Sequence, residues 1–346
     1  MIFFVLCTCI FNRDLRFGYI YIIMLLTLGW SFSVYISFEE FTGFFCEFMK
    51  VFSVISLAFF GLYVGVHQVM EIFPVITNSA GREHYTILLS SMPVEFYLDE
   101  YRNAGFFREP GVFQMYLIWA IMFEIFVKKK MSIVNCLIFL VTIITTFSTT
   151  AYIAVAMILV IYFIKKGDRR DVLIKRCLLA AGSLLLLGTV LFTDILSPDG
   201  IIFRKFTEAN NPSVSARVAS LIVNMIMTAR NPLFGNGLTF TNEQYSNYAM
   251  KYLHLEVSDN TTMLLYMMAT LGILFTLLFV AGIWQFCKKM AKSIVLQLGL
   301  VGVFLVLFVG ENLIFSPITY IFVFYGLGEW NKMVKKHENI DDKQYL

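Results

Sequence analysis

Long apolar runs alternate with short polar connections along most of the chain. Runs of roughly 17–25 apolar residues have the length that crosses a lipid bilayer as an α-helix. Residues 2–11 add a partial run. The complete runs predict membrane spans near 17–37, 43–69, 110–127, 131–147, 149–164, 177–193, 261–286, 293–309 and 312–330. We therefore predict an all-α, polytopic membrane bundle of about nine or ten transmembrane helices.

Two longer hydrophilic stretches interrupt this pattern, near 70–109 and 194–260. Long loops among otherwise short connections are the usual place for binding and catalytic residues. The chain has no internal repeat and no separate soluble domain, so we predict a single membrane domain over residues 1–346. Function is expected in the two stretches.

The second stretch contains a segment, 214–229, whose apolar residues follow a helical period. Their spacing of i, i+3, i+4, i+7 and i+8 makes one stripe on an amphipathic helix. Arg217, Ser220 and Asn224 fall on another face. Two interpretations stay open: the helix lies on the bilayer surface, or it lies over a cavity and directs Arg217 inward. The stripe consists of Val218, Leu221, Ile222, Met225 and Ile226.

Composition supports the membrane assignment, and the positions of the charges orient the chain. The sequence is 58% hydrophobic and 15% charged, whereas soluble domains are about a quarter charged. Lysine and arginine in short loops mark the cytoplasmic side, so the two longer stretches are predicted outside. The segment "NRDLR" (12–16) then also falls outside, against this tendency. More than half of the 27 basic residues lie at 128–130, 165–176, 288–292 and 331–336.

The end of the first outer stretch, "YRNAGFFREPG" (101–111), concentrates charged residues before an apolar run. Arg102 presents a planar fork of donors that suits phosphate or carboxylate, and Arg108 lies nearby in sequence. Glu109 precedes Pro110, a residue that fits the first turn of a helix, and a carboxylate is favourable at that end. The structural alternatives are an arginine that faces lipid headgroups and a glutamate that starts the helix or pairs with an arginine.

The end of the second outer stretch carries possible proton acceptors. His254, Glu256 and Asp259 cluster just before the span at 261–286. Asp259 with the following asparagine fits a helix N-cap, or the carboxylate faces arginines and acts as a general base. His254 is the rival base, because an imidazole suits proton transfer near neutral pH.

Several motifs are absent from the sequence. It has no Walker-type phosphate loop, no clean glycine-rich dinucleotide motif and no Asp-x-Asp metal-nucleotide signature, and its cysteines and histidines show no metal-ligand spacing. The predicted spans hold few ionisable residues, which disfavours an ion-coupled carrier. We predict no cofactor and no metal, and the net charge of +3 gives no reason to expect nucleic acid.

Four motifs in order resemble Wzy-type polysaccharide polymerases of the O-antigen ligase-like superfamily. "RNAGFFREPGVFQMYL" is similar to the Arg-x-x-Gly-x-x-x-Glu-Pro signature that opens a span, and "TTFSTTAYIAVAM" to a Ser/Thr-rich hairpin tip. "SARVASLIVNMIMTARNPLFGNGL" resembles the arginine, short helix and Pro-Leu-x-Gly-x-Gly pattern of the large outer loop. "SDNTTMLLYMMATLGILFTLLF" resembles the following span. Ligase-like members often carry histidine where Asp259 stands, and the N-terminal part looks short for the family.

The resemblance implies a metal- and nucleotide-independent, inverting glycosyltransferase in the bacterial cytoplasmic membrane, with its active site facing the periplasm or cell exterior. It would join undecaprenyl-diphosphate-linked repeat units into O-antigen, capsule or exopolysaccharide. The lipid-linked oligosaccharide and the bilayer are the expected partners, and a chain-length regulator and a flippase are further candidates. The alternatives are an O-antigen ligase and a flippase or transporter of the same lipid-linked sugar.

Under this resemblance, arginines hold the diphosphate and a nearby group takes the acceptor proton. Arg217 and Arg102 are assigned to the diphosphate, with Arg108 and Arg230 as weaker candidates. Asp259 is the preferred base, and His254 is second. Glu109 is expected to orient an arginine or to bind an acceptor hydroxyl.

Overall fold

The computed structural model describes residues 1–77, 83–87, 90–94, 102–107, 109–165, 188, 212–258 and 260–328. Helices dominate these residues, and one small antiparallel sheet is present. The sheet contains β1 (Val75–Thr77), β2 (Glu83–Ile87) and β3 (Ser90–Pro93), and a short 3₁₀ helix (His67–Ile72) precedes it. The helices are α1 (Ile2–Phe11), α2 (Phe17–Tyr35), α3 (Phe38–Gly65), α4 (Pro110–Phe126), α5 (Ile133–Thr145), α6 (Thr149–Ile164), α7 (Pro212–Arg230), α8 (Leu238–Leu253), α9 (Met263–Met290), α10 (Ile294–Gly310) and α11 (Pro317–Gly328).

The helices confirm the predicted membrane architecture. Each predicted span has a matching helix except 177–193, which lies outside the described residues apart from position 188. Three described helices, α2, α3 and α9, are long and apolar enough to cross a membrane. Shorter apolar helices of 10–17 residues accompany them, α1, α4, α5, α6, α10 and α11. The chain is therefore a helical membrane protein.

The chain divides into two compact units. The first contains residues 1–38 and 210–346, and the second contains residues 39–209. The single-domain assignment stays a prediction.

In the first unit, a loop enters a break in helix α9. Gly272 has φ +84° and ψ 168°, so the helix loses its regular backbone hydrogen bonds there. The backbone N–H groups of Asn236 and Gly237 donate to the carbonyls of Ala269 (2.8 Å) and Thr270 (3.1 Å). Ile273 N–H, beyond the break, donates to Pro232 O at 2.8 Å. The loop thus provides hydrogen-bond partners for backbone groups of α9 that lipid could not bond.

The N-terminal residues of the first unit pack against the same loop. The hydroxyl of Thr8 donates to Phe234 O at 2.8 Å, and the amide of Asn12 donates to Gly235 O at 3.2 Å. The rings of Phe11 and Phe234 stack with centroids 4.7 Å apart. Residues 12–16 consequently lie on the same side as the 231–244 segment, as counting of the predicted spans requires.

In the second unit, α4 packs against α5 and α6 and is buried along almost its whole length. The small sheet, in strand order β1-β2-β3, covers the end of α3. The sequence prediction did not include these strands, because three to five residues give too short a pattern to recognise. The buried contact consists of Phe59, Tyr63, Met70, Tyr85 and Met92.

Candidate functional site

Helix α7 of the first unit turns a face of mixed apolar and polar residues inward. Ala219, Val223 and Met227 are buried in a cluster with residues of α8 and α9. The predicted apolar stripe points outward instead, with Val218 42% exposed and Met225 56% exposed. This arrangement suits a membrane protein, because lipid tails are as apolar as the side chains that face them.

The buried polar residues of α7 fix the segment that precedes α9. The hydroxyl of Ser220 accepts a hydrogen bond from Thr261 N–H at 2.9 Å and lies 2.9 Å from the hydroxyl of Tyr245. Asn224 and Asn260 exchange two amide hydrogen bonds, each 2.9 Å long. The amide of Asn312 donates to Asn260 O at 3.3 Å. A polar network therefore holds the 260–262 segment against α7.

Arg217 lies one helical turn before Ser220, and residues three apart share a helix face. Its side chain is partly exposed at the end of this face. Asp259 lies outside the described residues, but the next residue, Asn260, is bound directly to Asn224. The structure thus brings the helix face that carries Arg217 against the segment that follows position 259.

Arg230 and His254 lie elsewhere in the first unit. The guanidinium carbon of Arg230 is 4.4 Å from the ring centroid of Phe240, a cation–π contact, and one of its nitrogens lies 3.5 Å from Tyr248 Oη. At 1.5 Å per residue, the Cα atoms of Arg217 and Arg230 are about 20 Å apart along α7. His254 ends α8 in the left-handed conformation (φ +55°) and is exposed.

In the second unit, the segment 102–107 is bound to the turn between α5 and α6. Arg102 Nε donates to Thr146 O at 2.8 Å, a favourable place for a cation because helix α5 ends there. Asn103 donates to the hydroxyls of Thr145 (2.9 Å) and Ser56 (3.3 Å). Two motifs of the sequence, "RNAGFF" and "TTFSTT", are therefore in direct contact.

Glu109 begins helix α4, as Pro110 predicts. Its backbone carbonyl accepts from the N–H groups of Val112 and Phe113, both at 3.1 Å, and its side chain makes no capping hydrogen bond to the helix. Arg108 lies outside the described residues.

A polar cavity that the sequence prediction missed lies in the first unit. We call it the N-terminal cavity; it has a volume of about 470 Å³ between residues 12–16 and the first turns of α8. Asp14 at its base accepts hydrogen bonds from Thr239 N (2.8 Å), Thr239 Oγ1 (2.6 Å) and Tyr19 Oη (2.9 Å). Burial alone would raise the pKa of Asp14, but these bonds bring it below its ordinary value. The sequence did contain one sign of this cavity: the basic residues of "NRDLR" fall on the predicted outer side, against the usual charge bias.

These features define a class: an integral membrane protein built of helices, whose polar loops are fixed by networks of buried hydrogen bonds. Residues 134–280 match the family model described as O-antigen ligase. This match supports membership of the chain in the O-antigen ligase and Wzy superfamily, which confirms the resemblance drawn from the motifs. Members of this family are glycosyltransferase-like enzymes. Comparison with curated proteins and with solved structures gave no match.

The matched range covers part of the candidate residues. Arg217, Arg230, His254 and Asp259 fall inside it. Arg102, Arg108, Glu109 and the N-terminal cavity loop, 12–16, fall outside. The roles of all these residues remain predictions.

Proposed function

We propose that the protein is a polymerase that joins undecaprenyl-diphosphate-linked repeat units into a surface polysaccharide at the outer face of the bacterial cytoplasmic membrane. The transfer is an inverting one and uses neither a nucleotide nor a metal. Family membership supports a glycosyltransferase-like enzyme with a lipid-linked substrate. The polymer product and the sidedness belong to the proposal.

The observation that carries the proposal is the fixed position of the Arg217 helix face. Ser220 and Asn224 hold this face against the 260–262 segment through short hydrogen bonds. Asp259 precedes that segment in the sequence, and the proposal assigns Arg217 as the cation and Asp259 as the base. Preorganised groups of this kind stabilise a transition state without reorganisation.

The residue types match the chemistry of glycosyl transfer from a diphosphate. The departing diphosphate gains negative charge, and a guanidinium group presents two parallel donors to it. A carboxylate takes the proton of the acceptor hydroxyl as that oxygen attacks the sugar. The apolar helices hold the polyprenyl tails, so both reactive ends meet at the membrane boundary.

The other candidate residues take secondary places in the proposal. Arg102, which is bound to Thr146, supports the diphosphate, and Arg108 is a weaker candidate in the same segment. Arg230 is less favoured because it lies about 20 Å along α7 from Arg217. His254 is the second choice of base, and Glu109 orients an arginine or binds an acceptor hydroxyl.

A deletion strain separates the polymerase from the nearest alternatives. Loss of long chains with single repeat units retained on the cell surface supports the polymerase. Accumulation of long lipid-linked chains indicates an O-antigen ligase, and accumulation of single lipid-linked units on the cytoplasmic face indicates a flippase.

Complementation of the deletion strain tests Arg217 itself. Arg217→Ala should reach the membrane and yield no long chains. Lys251→Ala is the matched control, because it removes an exposed cation from α8 in the same outer stretch. Normal polymer from Arg217→Ala would remove this arginine from the mechanism.

A further inference from the structure

The N-terminal cavity has the size and the construction of a ligand site. Its volume of about 470 Å³ lies within the range of small-molecule pockets, roughly 300–1,000 Å³. It lies between the loop 12–16 and the first turns of α8. All of its walls belong to the first unit.

The base of the cavity is rigid, because its polar groups are already bonded. Asp14 accepts from both the backbone and the hydroxyl of Thr239. The amide of Asn236 donates to the carbonyls of Met227 (2.7 Å) and Ala269 (3.1 Å). These residues shape the cavity, and the groups that bind a ligand must come from its rim.

The rim combines donors and acceptors with no net charge. Arg16 and Glu243 form an ion pair at the rim, and Arg13 and Gln244 also line the cavity. With Asp14, the lining contains two guanidinium groups and two carboxylates. An anion would gain little from equal numbers of positive and negative groups, whereas a polyhydroxyl compound needs hydrogen-bond donors and acceptors together. Phe240 adds an apolar wall, which suits the C–H face of a sugar ring.

Arg13 contributes a charge that the fold does not need. Its left-handed backbone, with φ +51°, only ends helix α1: the N–H groups of Arg13 and Asp14 donate to Ile10 O (3.2 Å) and Cys9 O (3.0 Å), as in a Schellman motif. The side chain, however, puts a positive charge on the predicted outer side, against the usual bias. A binding role at the cavity rim accounts for this charge.

We propose that the N-terminal cavity binds a sugar residue of the lipid-linked repeat unit, with Arg13, Glu243 and Gln244 bonding its hydroxyl groups. The inference rests on the proposed function for the identity of the sugar. Of the three residues assigned to the glycan, Arg13 lies outside the matched family range, 134–280, and Glu243 and Gln244 lie inside it. Differences in the loop 12–16 and at the start of α8 would then select among repeat units while the diphosphate chemistry stays the same.

The test measures binding to the purified full-length protein in detergent, and it needs no turnover. The probes are repeat-unit oligosaccharides, prepared by mild hydrolysis of the cell's own surface polysaccharide, and inorganic pyrophosphate. Arg13→Asn and Gln244→Ala should each raise the Kd for the oligosaccharide at least about tenfold, the loss expected for hydrogen bonds to a bound ligand. Pyrophosphate binding should not change in either variant.

The variants are chosen to keep the fold. Asparagine tolerates the left-handed conformation of position 13, so Arg13→Asn removes the guanidinium without a backbone penalty. Ser246→Ala, an exposed position on α8 that does not line the cavity, is the matched control and should bind like the wild type. The thermal midpoint of each variant reports its folding, and Gln244→Ala keeps the test valid if Arg13→Asn unfolds.

Three results would overturn the sugar site: no oligosaccharide binding by the wild type, wild-type affinity in both variants, or pyrophosphate binding that Arg13→Asn abolishes. The last would make the cavity an anion site. Failure of the proposed function appears separately, as normal polymer in the Arg217→Ala complemented strain.

Discussion

At the scale of single residues, two glycines permit the loop to enter the broken helix α9. Gly235 (φ +69°) and Gly272 (φ +84°) have left-handed backbones. A Cβ on Gly235 would overlap the carbonyl carbon of Thr270, and a Cβ on Gly272 would overlap Leu233 O. The backbone conformation and the lack of space therefore both require glycine.

We expect Gly235→Ala and Gly272→Ala each to lower the stability by more than about 1 kcal/mol, because alanine is strained at positive φ and has no room here. Thermal unfolding of the purified protein measures the effect. Gly61→Ala is the control: it lies within α3 with no atom within 4 Å of the added Cβ apart from the neighbouring backbone of its own helix, and it should be neutral or stabilise by about 0.5–1 kcal/mol. Equal midpoints for all three variants would contradict the account of the loop.

Asp14 should make the stability of the folded protein dependent on pH. Its hydrogen bonds lower its folded-state pKa below the ordinary value of 3.8, so the ionised group stabilises the folded protein. This stabilisation is complete above 3.8 and is lost as the pH falls from there through the folded-state pKa. Asp14→Asn should therefore unfold at a lower temperature than the wild type at pH 6, and the gap should narrow below about pH 4. A gap that is independent of pH would contradict the assignment.

At the scale of elements, the contact between α7 and the start of α9 depends on a reciprocal pair of amides. Asn224 is fully buried and exchanges two hydrogen bonds with Asn260. Removal of one partner leaves the other amide incompletely bonded. The pair is therefore expected to act as a unit.

Asn224→Ala and Asn260→Ala should each cost about 1–3 kcal/mol, and the double variant should cost less than their sum, with a coupling of about 0.5–3 kcal/mol. Met225→Ala, on the exposed face of the same helix, should change stability by less than about 0.5 kcal/mol. Chemical unfolding in detergent provides these values. Full additivity of the two asparagine variants would show that the pair is not coupled.

The helices could be predicted from the sequence because apolar runs of bilayer length are a strong signal. The inward face of α7 could not be predicted from the sequence. Val218 and Met225 face outward, whereas a soluble protein would bury such apolar residues. Helix α8 lacks an apolar run, and its buried positions include the polar Thr241. A lone glycine at 272 within an apolar span gives no sign of a break.

The candidate site was predictable by residue type and only partly by position. Sequence periodicity placed Arg217, Ser220 and Asn224 on one face, as found. The partner of Arg102 at Thr146 lies 44 residues away in the chain, and such contacts leave no local pattern. The N-terminal cavity likewise joins residues more than 200 positions apart.

At the scale of the whole molecule, the sidedness of the chain can be measured by cysteine labelling. Leu15→Cys and Ser246→Cys, in a protein whose six native cysteines are replaced by alanine, should react with a membrane-impermeant maleimide in intact cells. Lys130→Cys should react only after permeabilisation, because "KKK" marks the cytoplasmic side. All three positions are exposed. If the maleimide labelled Ser246→Cys and not Leu15→Cys in intact cells, residues 12–16 and α8 would not lie on the same side of the membrane.

The central claim is that the guanidinium group of Arg217 stabilises a departing diphosphate. The most direct measurement is chain elongation by the purified protein in lipid vesicles supplied with undecaprenyl-diphosphate-linked repeat units. Wild type and Lys251→Ala should lengthen the glycan and release undecaprenyl diphosphate, and Arg217→Ala should be at least about a hundredfold slower with an unchanged thermal midpoint. Elongation by Arg217→Ala at the wild-type rate, or wild-type protein that moves the lipid across the bilayer without lengthening it, would contradict the claim.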